Sequence, residues 1–125
     1  MHKYRELKVW QRAMAFTVDV YRETRGWPPE ERFGLTSQLR RAVSAVPLNI
    51  AEGAGNASDR EFARFLEIAL RSTYEVMTAI EIARGLDYLS DSRATVLLSE
   101  ADEIAAMTAG LMKSLGWKRS ASPKA

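Results

Sequence analysis

The feature that most constrains the fold is a segment of 27 residues, Ser58 to Arg84, that contains neither proline nor glycine. It opens with Ser58-Asp59-Arg60-Glu61, a capping box in which the serine hydroxyl and the glutamate carboxylate satisfy amides of the first helical turn. Its apolar residues recur at helical spacing and cover roughly 200° of a helical wheel; they are Phe62, Phe65, Leu66, Ala69, Leu70, Val76, Met77, Ile80 and Ala83. The segment predicts a long helix with an apolar arc wider than one core needs.

Two other segments show helical periodicity between clear stops. The first runs from about Arg5 to Thr24 and ends at Gly26-Trp27-Pro28-Pro29, because proline lacks an amide and disfavours helical geometry in the residue before it. The last is capped by Ser90 or Ser92 and ends at Gly116, where glycine readily takes the left-handed conformation that closes a helix. Both segments predict amphipathic helices.

The remaining helical segment contains a proline. It begins after Pro29, where Glu30 and Glu31 complement the positive helix start, and its last turn reaches Glu52. Pro47 removes the amide that would bind the carbonyl of Val43. The sequence therefore predicts a kink at Pro47, with a full break of the helix as the alternative.

Four amphipathic helices joined by short turns, in a chain of 125 residues, predict one domain. No segment alternates with the two-residue period of a strand. The predicted fold is all-α, an antiparallel up-down-up-down four-helix bundle over residues 1–116. Residues 117–125 are predicted to form a basic, disordered tail.

The composition argues against several classes of function. Cysteine is absent and the one histidine is His2, which leaves no thiolate site, no Glu-x-x-His pair for a di-iron centre and no Ser-His catalysis. We therefore expect no catalytic residues, no cofactor and no metal. Glu100, Asp102 and Glu103 form an acidic group that could hold magnesium, but a solvated helix face is the preferred explanation. Without a signal peptide or an apolar run of roughly 20 residues, the protein is expected to be soluble and cytoplasmic, with no membrane partner.

Charge is unevenly distributed along the chain. Residues 1–57 hold nine basic and six acidic side chains, residues 58–115 six and ten, and residues 116–125 three and none. This asymmetry fits either a basic end that binds phosphates or opposite patches that meet when copies assemble.

Polar residues on the second and third helices allow two interpretations. One is a structural network centred on an arginine between two carboxylates; its members are Gln38, Arg41, Asn49, Glu52, Ser72 and Glu75. The other is contact with a nucleic-acid backbone through basic side chains, namely Arg5, Lys8, Arg12, Arg40, Arg41, Lys118 and Arg119. The aromatic residues Trp10, Tyr21 and Trp27 are assigned to the core or to an interface rather than to base stacking.

Several motifs together resemble a known family. They are Leu7-Lys8-Val9-Trp10, Phe33-Gly34-Leu35, Gln38-Leu39-Arg40-Arg41-Ala42, Asn49-Ile50-Ala51-Glu52-Gly53 and Ser72-Thr73-Tyr74-Glu75. The chain is similar, from residue 4 to about 116, to the four-helix-bundle proteins encoded by intervening sequences of bacterial 23S ribosomal RNA genes. The resemblance implies a ring-like homopentamer without established enzymatic activity and a role around ribosomal RNA or another nucleic acid.

Two functions follow as hypotheses. The first is a non-enzymatic, homo-oligomeric bundle, pentameric by the resemblance, whose basic positions bind RNA or another nucleic acid. The second is a protein-interaction adaptor or accessory subunit that never meets nucleic acid. A wide apolar arc on the third helix would leave exposed hydrophobic surface on a lone bundle, which favours assembly in both cases.

Overall fold

Four α-helices form the structure, a computed structural model that describes residues 2–56 and 58–117. They are α1 (Lys8–Thr24), α2 (Leu35–Ala54), α3 (Asp59–Gly85) and α4 (Asp91–Ser114), with short 3-10 helices at Tyr4–Glu6 and Pro29–Glu31. The described residues contain no strand. The prediction of an all-α four-helix bundle is confirmed.

Each helix contributes an apolar face to one core. The largest side chains that the core buries completely include Leu39 and Ile50 of α2, Phe62 and Leu66 of α3, and Leu97 of α4. Helix α3 packs against both α2 and α4, and α1 packs against α2 and α4 in turn. The apolar arc of α3 is wide because the helix packs against two neighbours, α2 and α4.

The serine half of the capping box predicted for α3 is present, whereas the Glu61 carboxylate accepts from Arg64. The cap of α4 is formed by one of its two candidate serines. The Glu61 amide donates to the Ser58 hydroxyl at 3.0 Å, and the Arg93 amide donates to the Ser90 hydroxyl at 3.1 Å. Helix α4 ends at Ser114, and Gly116 adopts the expected left-handed conformation with φ 84°. Trp117, which the prediction placed in the tail, packs against the core. The rest of the predicted tail, residues 118–125, lies outside the described residues.

The starts of α1 and α2 fall later than predicted. Leu7 is extended, with ψ 121°, and separates the short turn Tyr4–Glu6 from α1, so Arg5 does not belong to that helix. Leu7 is partly buried against the core, which explains why the chain turns inward there. Helix α2 starts at Leu35 because the residues after Pro29 form only one 3-10 turn before Gly34.

Helix α2 runs through Pro47 without a break. The Val43 carbonyl receives no backbone hydrogen bond from Pro47, which has no N–H. It lies 3.2 Å from the Thr17 hydroxyl of α1, and the same hydroxyl lies 2.7 Å from the Ala13 carbonyl. A partner for this oxygen lowers the cost of a buried proline inside a helix. The kink itself and the up-down-up-down order of the whole bundle stay predictions.

Helices α1 and α4 are joined by ion pairs. The Arg12 guanidinium donates to both carboxylate oxygens of Glu100, at 2.6 and 3.1 Å. Further along α1, Asp19 and Glu23 both accept from Arg93, near the start of α4. Early residues of one helix thus pair with later residues of the other, as in two antiparallel helices.

Within the described residues, none of the four helices combines the length and the hydrophobicity that a membrane-spanning helix requires.

Candidate nucleic-acid interface

A surface groove with an arginine-rich lining lies where the end of α1 meets the start of α2. It encloses about 450 Å³, and its lining consists of Tyr21, Arg32, Phe33, Thr36, Ser37, Arg40 and Arg41. None of these seven residues is acidic. We call this surface the arginine groove. Its charge is positive because three guanidinium groups share it without a carboxylate.

Arg40 is fixed in place on one wall of the arginine groove. Its Nε donates to the Thr24 hydroxyl at 2.8 Å, and its Nη2 donates to the Tyr21 carbonyl at 3.2 Å. The guanidinium carbon also lies 4.8 Å from the centre of the Tyr21 ring, a cation–π distance. Neutral partners hold this side chain, so its full positive charge remains available to an anion.

Phe33 is the most exposed large apolar side chain of the described residues, with 88% of its surface accessible. It precedes Gly34 in the loop before α2, and the Arg32 guanidinium lies 5.3 Å from the centre of its ring. Arg41 is an exposed residue of the same lining and forms no ion pair with any described residue. The groove therefore combines an accessible ring with positive charges.

Two carboxylates close in sequence to the arginine groove, Glu23 and Glu31, are held by other groups. Glu23 accepts from Arg93, whose pKa is raised chiefly by that hydrogen bond. Glu31 accepts from the Leu35 amide at 3.0 Å and from the Tyr88 hydroxyl at 2.7 Å. No ion pair among the described residues joins a carboxylate to an arginine of the groove.

Glu31 also sets the geometry of the loop that carries Phe33. A Cβ atom on Gly34 would lie 2.6 Å from the Glu31 carboxylate, so glycine is what lets this carboxylate reach the start of α2. The Leu35 amide and then the Tyr88 hydroxyl lower the pKa of Glu31. This residue connects the first half of the chain to the turn between α3 and α4.

We expect Glu31→Gln to destabilise the protein at pH 7 and to flatten the acid side of its stability profile. A carboxyl whose pKa is lowered by folding contributes stability above its unfolded pKa, and that contribution disappears as pH falls through the folded pKa. Thermal unfolding of parent and variant should therefore differ at pH 7 and converge near pH 3. Glu30→Gln, in the exposed neighbouring position, should behave as the parent; a constant difference at every pH would contradict this assignment.

The other basic residues of the nucleic-acid hypothesis are placed differently. Arg12 is engaged by Glu100 and lies 3.7 Å from Glu103, and its pKa is raised chiefly by the hydrogen bond to Glu100. Arg5 lies in the turn before α1, so it does not share a helix with Lys8 and Arg12. Lys8 is exposed at the first position of α1. Lys118 and Arg119 lie outside the described residues.

The predicted polar network does not form within one chain. Arg41, Glu52 and Glu75 are all exposed, and no hydrogen bond or ion pair among described residues joins them. The stripe that carries Arg41 and Glu52 faces away from the bundle, because the opposite face of α2 forms the core. Asn49 instead donates to the Ala45 carbonyl of its own helix at 2.8 Å, and Ser72 is buried in α3.

A second groove separates α2 from α3. It encloses about 300 Å³ and is mainly apolar; its lining consists of Leu35, Gln38, Ala42, Arg71, Tyr74, Glu75, Thr78, Ala79 and Ile82. We call it the α2–α3 groove. It brings together two members of the predicted network, Gln38 and Glu75, but as parts of a surface recess. Tyr74 and Ile82 are exposed along it.

The acidic group of α4 belongs to the packing of the bundle. Glu100 accepts two hydrogen bonds from Arg12, and Glu103 lies near the same guanidinium. Asp102 is exposed. Within residues 2–56 and 58–117, no three acidic or histidine side chains are close enough together to hold a metal ion.

Comparison with known proteins bears on the family and the fold of the chain. The family model for the 23S rRNA-intervening sequence protein matches residues 5–110. A crystal structure of a protein of unknown function from the S23 ribosomal protein family of Bacteroides thetaiotaomicron is similar, with a TM-score of 0.76 and 20% identity over 84% of this chain and 98% of that chain. At that identity, the likeness concerns the fold. No significant match is found among functionally curated proteins.

Proposed function

Because the chain belongs to the 23S rRNA-intervening sequence protein family, whose members the sequence resemblance associates with ribosomal RNA, we propose that it is a non-enzymatic homo-oligomer that binds RNA through the arginine groove. The observation that carries this proposal is a recess lined by three arginines, two aromatic rings and no carboxylate. RNA supplies the two groups that such a lining recognises, phosphates and flat bases.

The arginines of the groove differ from three arginines on the surface of α3 in how their charges are used. Arg64, Arg71 and Arg84 each lie within 3.0 Å of a glutamate three or four residues earlier on α3. Such pairs cancel their own charge and contribute little to binding an external anion. Arg32, Arg40 and Arg41 have no such partner among the described residues, so phosphate binding displaces only water and counterions.

The proposed oligomer uses the α2–α3 groove, with a second copy of the chain as its occupant. This groove exposes apolar side chains that a lone bundle leaves in water. The first half of the chain is net basic and the second half net acidic, so two copies can present opposite charges to each other. A contact between two different surfaces closes into a ring when the rotation permits, and five copies is the number that the family resemblance implies.

A salt titration of RNA binding tests the proposal. Three arginine contacts to single-stranded RNA should give a slope of log affinity against log salt of about −2 for each engaged copy. Arg41→Ala should make that slope less steep by about 0.7 for each engaged copy. Arg84→Ala, which removes an exposed arginine already paired with Glu81, should leave the slope unchanged. Particle mass is measured on the same samples.

Other outcomes of this titration contradict the proposal. An intact oligomer that fails to bind RNA at low salt would favour the adaptor hypothesis and a protein ligand. Equal losses in Arg41→Ala and Arg84→Ala would show that binding follows overall charge rather than the arginine groove. A monomeric parent would contradict the homo-oligomer while leaving the RNA site open to the same test.

A further inference from the structure

We infer that the arginine groove takes unpaired bases of single-stranded RNA, with Phe33 as the stacking platform. This inference rests on the proposed function, since it specifies the ligand of the same site. It depends on the aromatic part of the groove, whereas the proposed function depends on its charge. The two can therefore fail separately.

Phe33 is exposed without a structural need. A phenylalanine side chain with 88% of its surface in water stabilises nothing in the bundle, and removing such a ring from water is favourable. It is held at the tip of a defined turn, in which the Arg32 amide donates to the Pro29 carbonyl and the Gly34 amide to the Glu31 carbonyl. The ring is thus presented to a ligand from a fixed loop.

Each aromatic ring of the groove has an arginine guanidinium beside it. Arg32 covers part of Phe33 at 5.3 Å, and Arg40 covers Tyr21 at 4.8 Å. A guanidinium on an aromatic ring can stack with a base and pair with a phosphate at once. With Arg41 on the same lining, the groove combines stacking surfaces with phosphate-binding groups along one path, the arrangement that follows a single strand.

Duplex RNA is not the preferred ligand, because its base faces are inaccessible. In A-form RNA the bases are stacked on one another and the major groove is deep and narrow, so an aromatic side chain on a protein surface reaches no base face. The lining includes Thr36 and Ser37 as its uncharged polar groups. Stacking accepts every base, so we expect little sequence preference.

The test compares three probes of equal length: an unstructured 12-nucleotide RNA, its duplex with a complementary strand, and an abasic strand that has the phosphates without bases. Phe33→Ala should weaken binding of the unstructured RNA about 5-fold to 150-fold, the range expected for loss of one stacked base. It should leave the duplex and the abasic strand unchanged. Phe33→Trp should retain binding because it keeps a flat ring.

Leu48→Ala is the matched control, since Leu48 is an exposed apolar side chain of α2, 65% accessible, outside the arginine groove. It should leave all three affinities unchanged, and circular dichroism should show that every variant melts as the parent does. Equal affinity of Phe33→Ala and parent for the unstructured RNA overturns the inference while the proposed function stands. Failure of the parent to bind any probe at low salt overturns the proposed function as well.

Discussion

Replacing Gly53 with alanine is expected to destabilise the protein by about 1–3 kcal/mol, although alanine is the better helix former. Gly53 is buried near the end of α2, where α3 packs directly against it. A Cβ atom there would lie 2.7 Å from the Cβ of Phe65 and 3.3 Å from the backbone oxygen of Phe62. Neither atom can rotate away, because both are fixed by the backbone of α3. The two helices must separate to admit one methyl group.

Thermal unfolding at a fixed protein concentration measures the effect, with an expected loss of about 4 °C for each kcal/mol. Gly110→Ala is the matched control. Gly110 is an exposed residue within α4, and a Cβ atom there would meet nothing within 4 Å. It should gain stability by up to about 1 kcal/mol from helix propensity alone. The same substitution at the two glycines should thus change the stability of the protein in opposite directions. A Gly53→Ala protein more stable than the parent would contradict the close approach of α2 and α3.

The sequence predicted the helices because their signals are local. A capping serine, a left-handed glycine and a 3.6-residue period act within a few residues, and Ser58, Ser90 and Gly116 all serve as expected. Where the prediction failed, the cause was tertiary. Leu7 is extended and packs against the core, which delays the start of α1. The contact of the Val43 carbonyl with Thr17 of another helix is likewise tertiary, and no local signal could have predicted it.

The candidate site was predictable only in part. The sequence offered Arg40 and Arg41 as candidate phosphate contacts, and both line the arginine groove. Arg12 was a candidate of the same kind, but it pairs with Glu100, which is 88 residues away, and no periodicity within α1 reveals an ion pair between helices. Tyr21 was assigned to the core or an interface, and Phe33 entered only through the family motif. The signal that could have identified Phe33 is its position before Gly34 in a loop, where no helical face buries it.

The predicted network failed for a reason of geometry. Gln38, Arg41, Asn49 and Glu52 do share one side of α2, as the spacing indicated. That side faces outward, since the core face of the helix is occupied by residues such as Leu39 and Ile50. A polar stripe at helical spacing is compatible with both an internal network and an outer surface. The presence of an arginine and two carboxylates favoured the network, and in the structure these side chains are exposed.

Replacing Ile82 with glutamate should dissociate the proposed oligomer. Ile82 lines the α2–α3 groove with 47% of its surface exposed, so an isolated chain tolerates the change. In the assembly, the new carboxylate would be buried against a second copy without a partner and would lose its hydration. Light scattering after size-exclusion chromatography should then give the monomer mass of 14.0 kDa.

Val96→Glu is the control for this substitution, because Val96 is similarly exposed, at 55%, but lies on α4 outside the groove. It should keep the mass of the parent. Dissociation should also weaken binding to a long RNA by about 10²-fold to 10⁴-fold, since separate copies lose the effective concentration that linkage provides. Binding of a short RNA to one arginine groove should be unchanged, because Ile82 is not part of that groove. An Ile82→Glu protein with the parent's mass would place the interface between copies on another face.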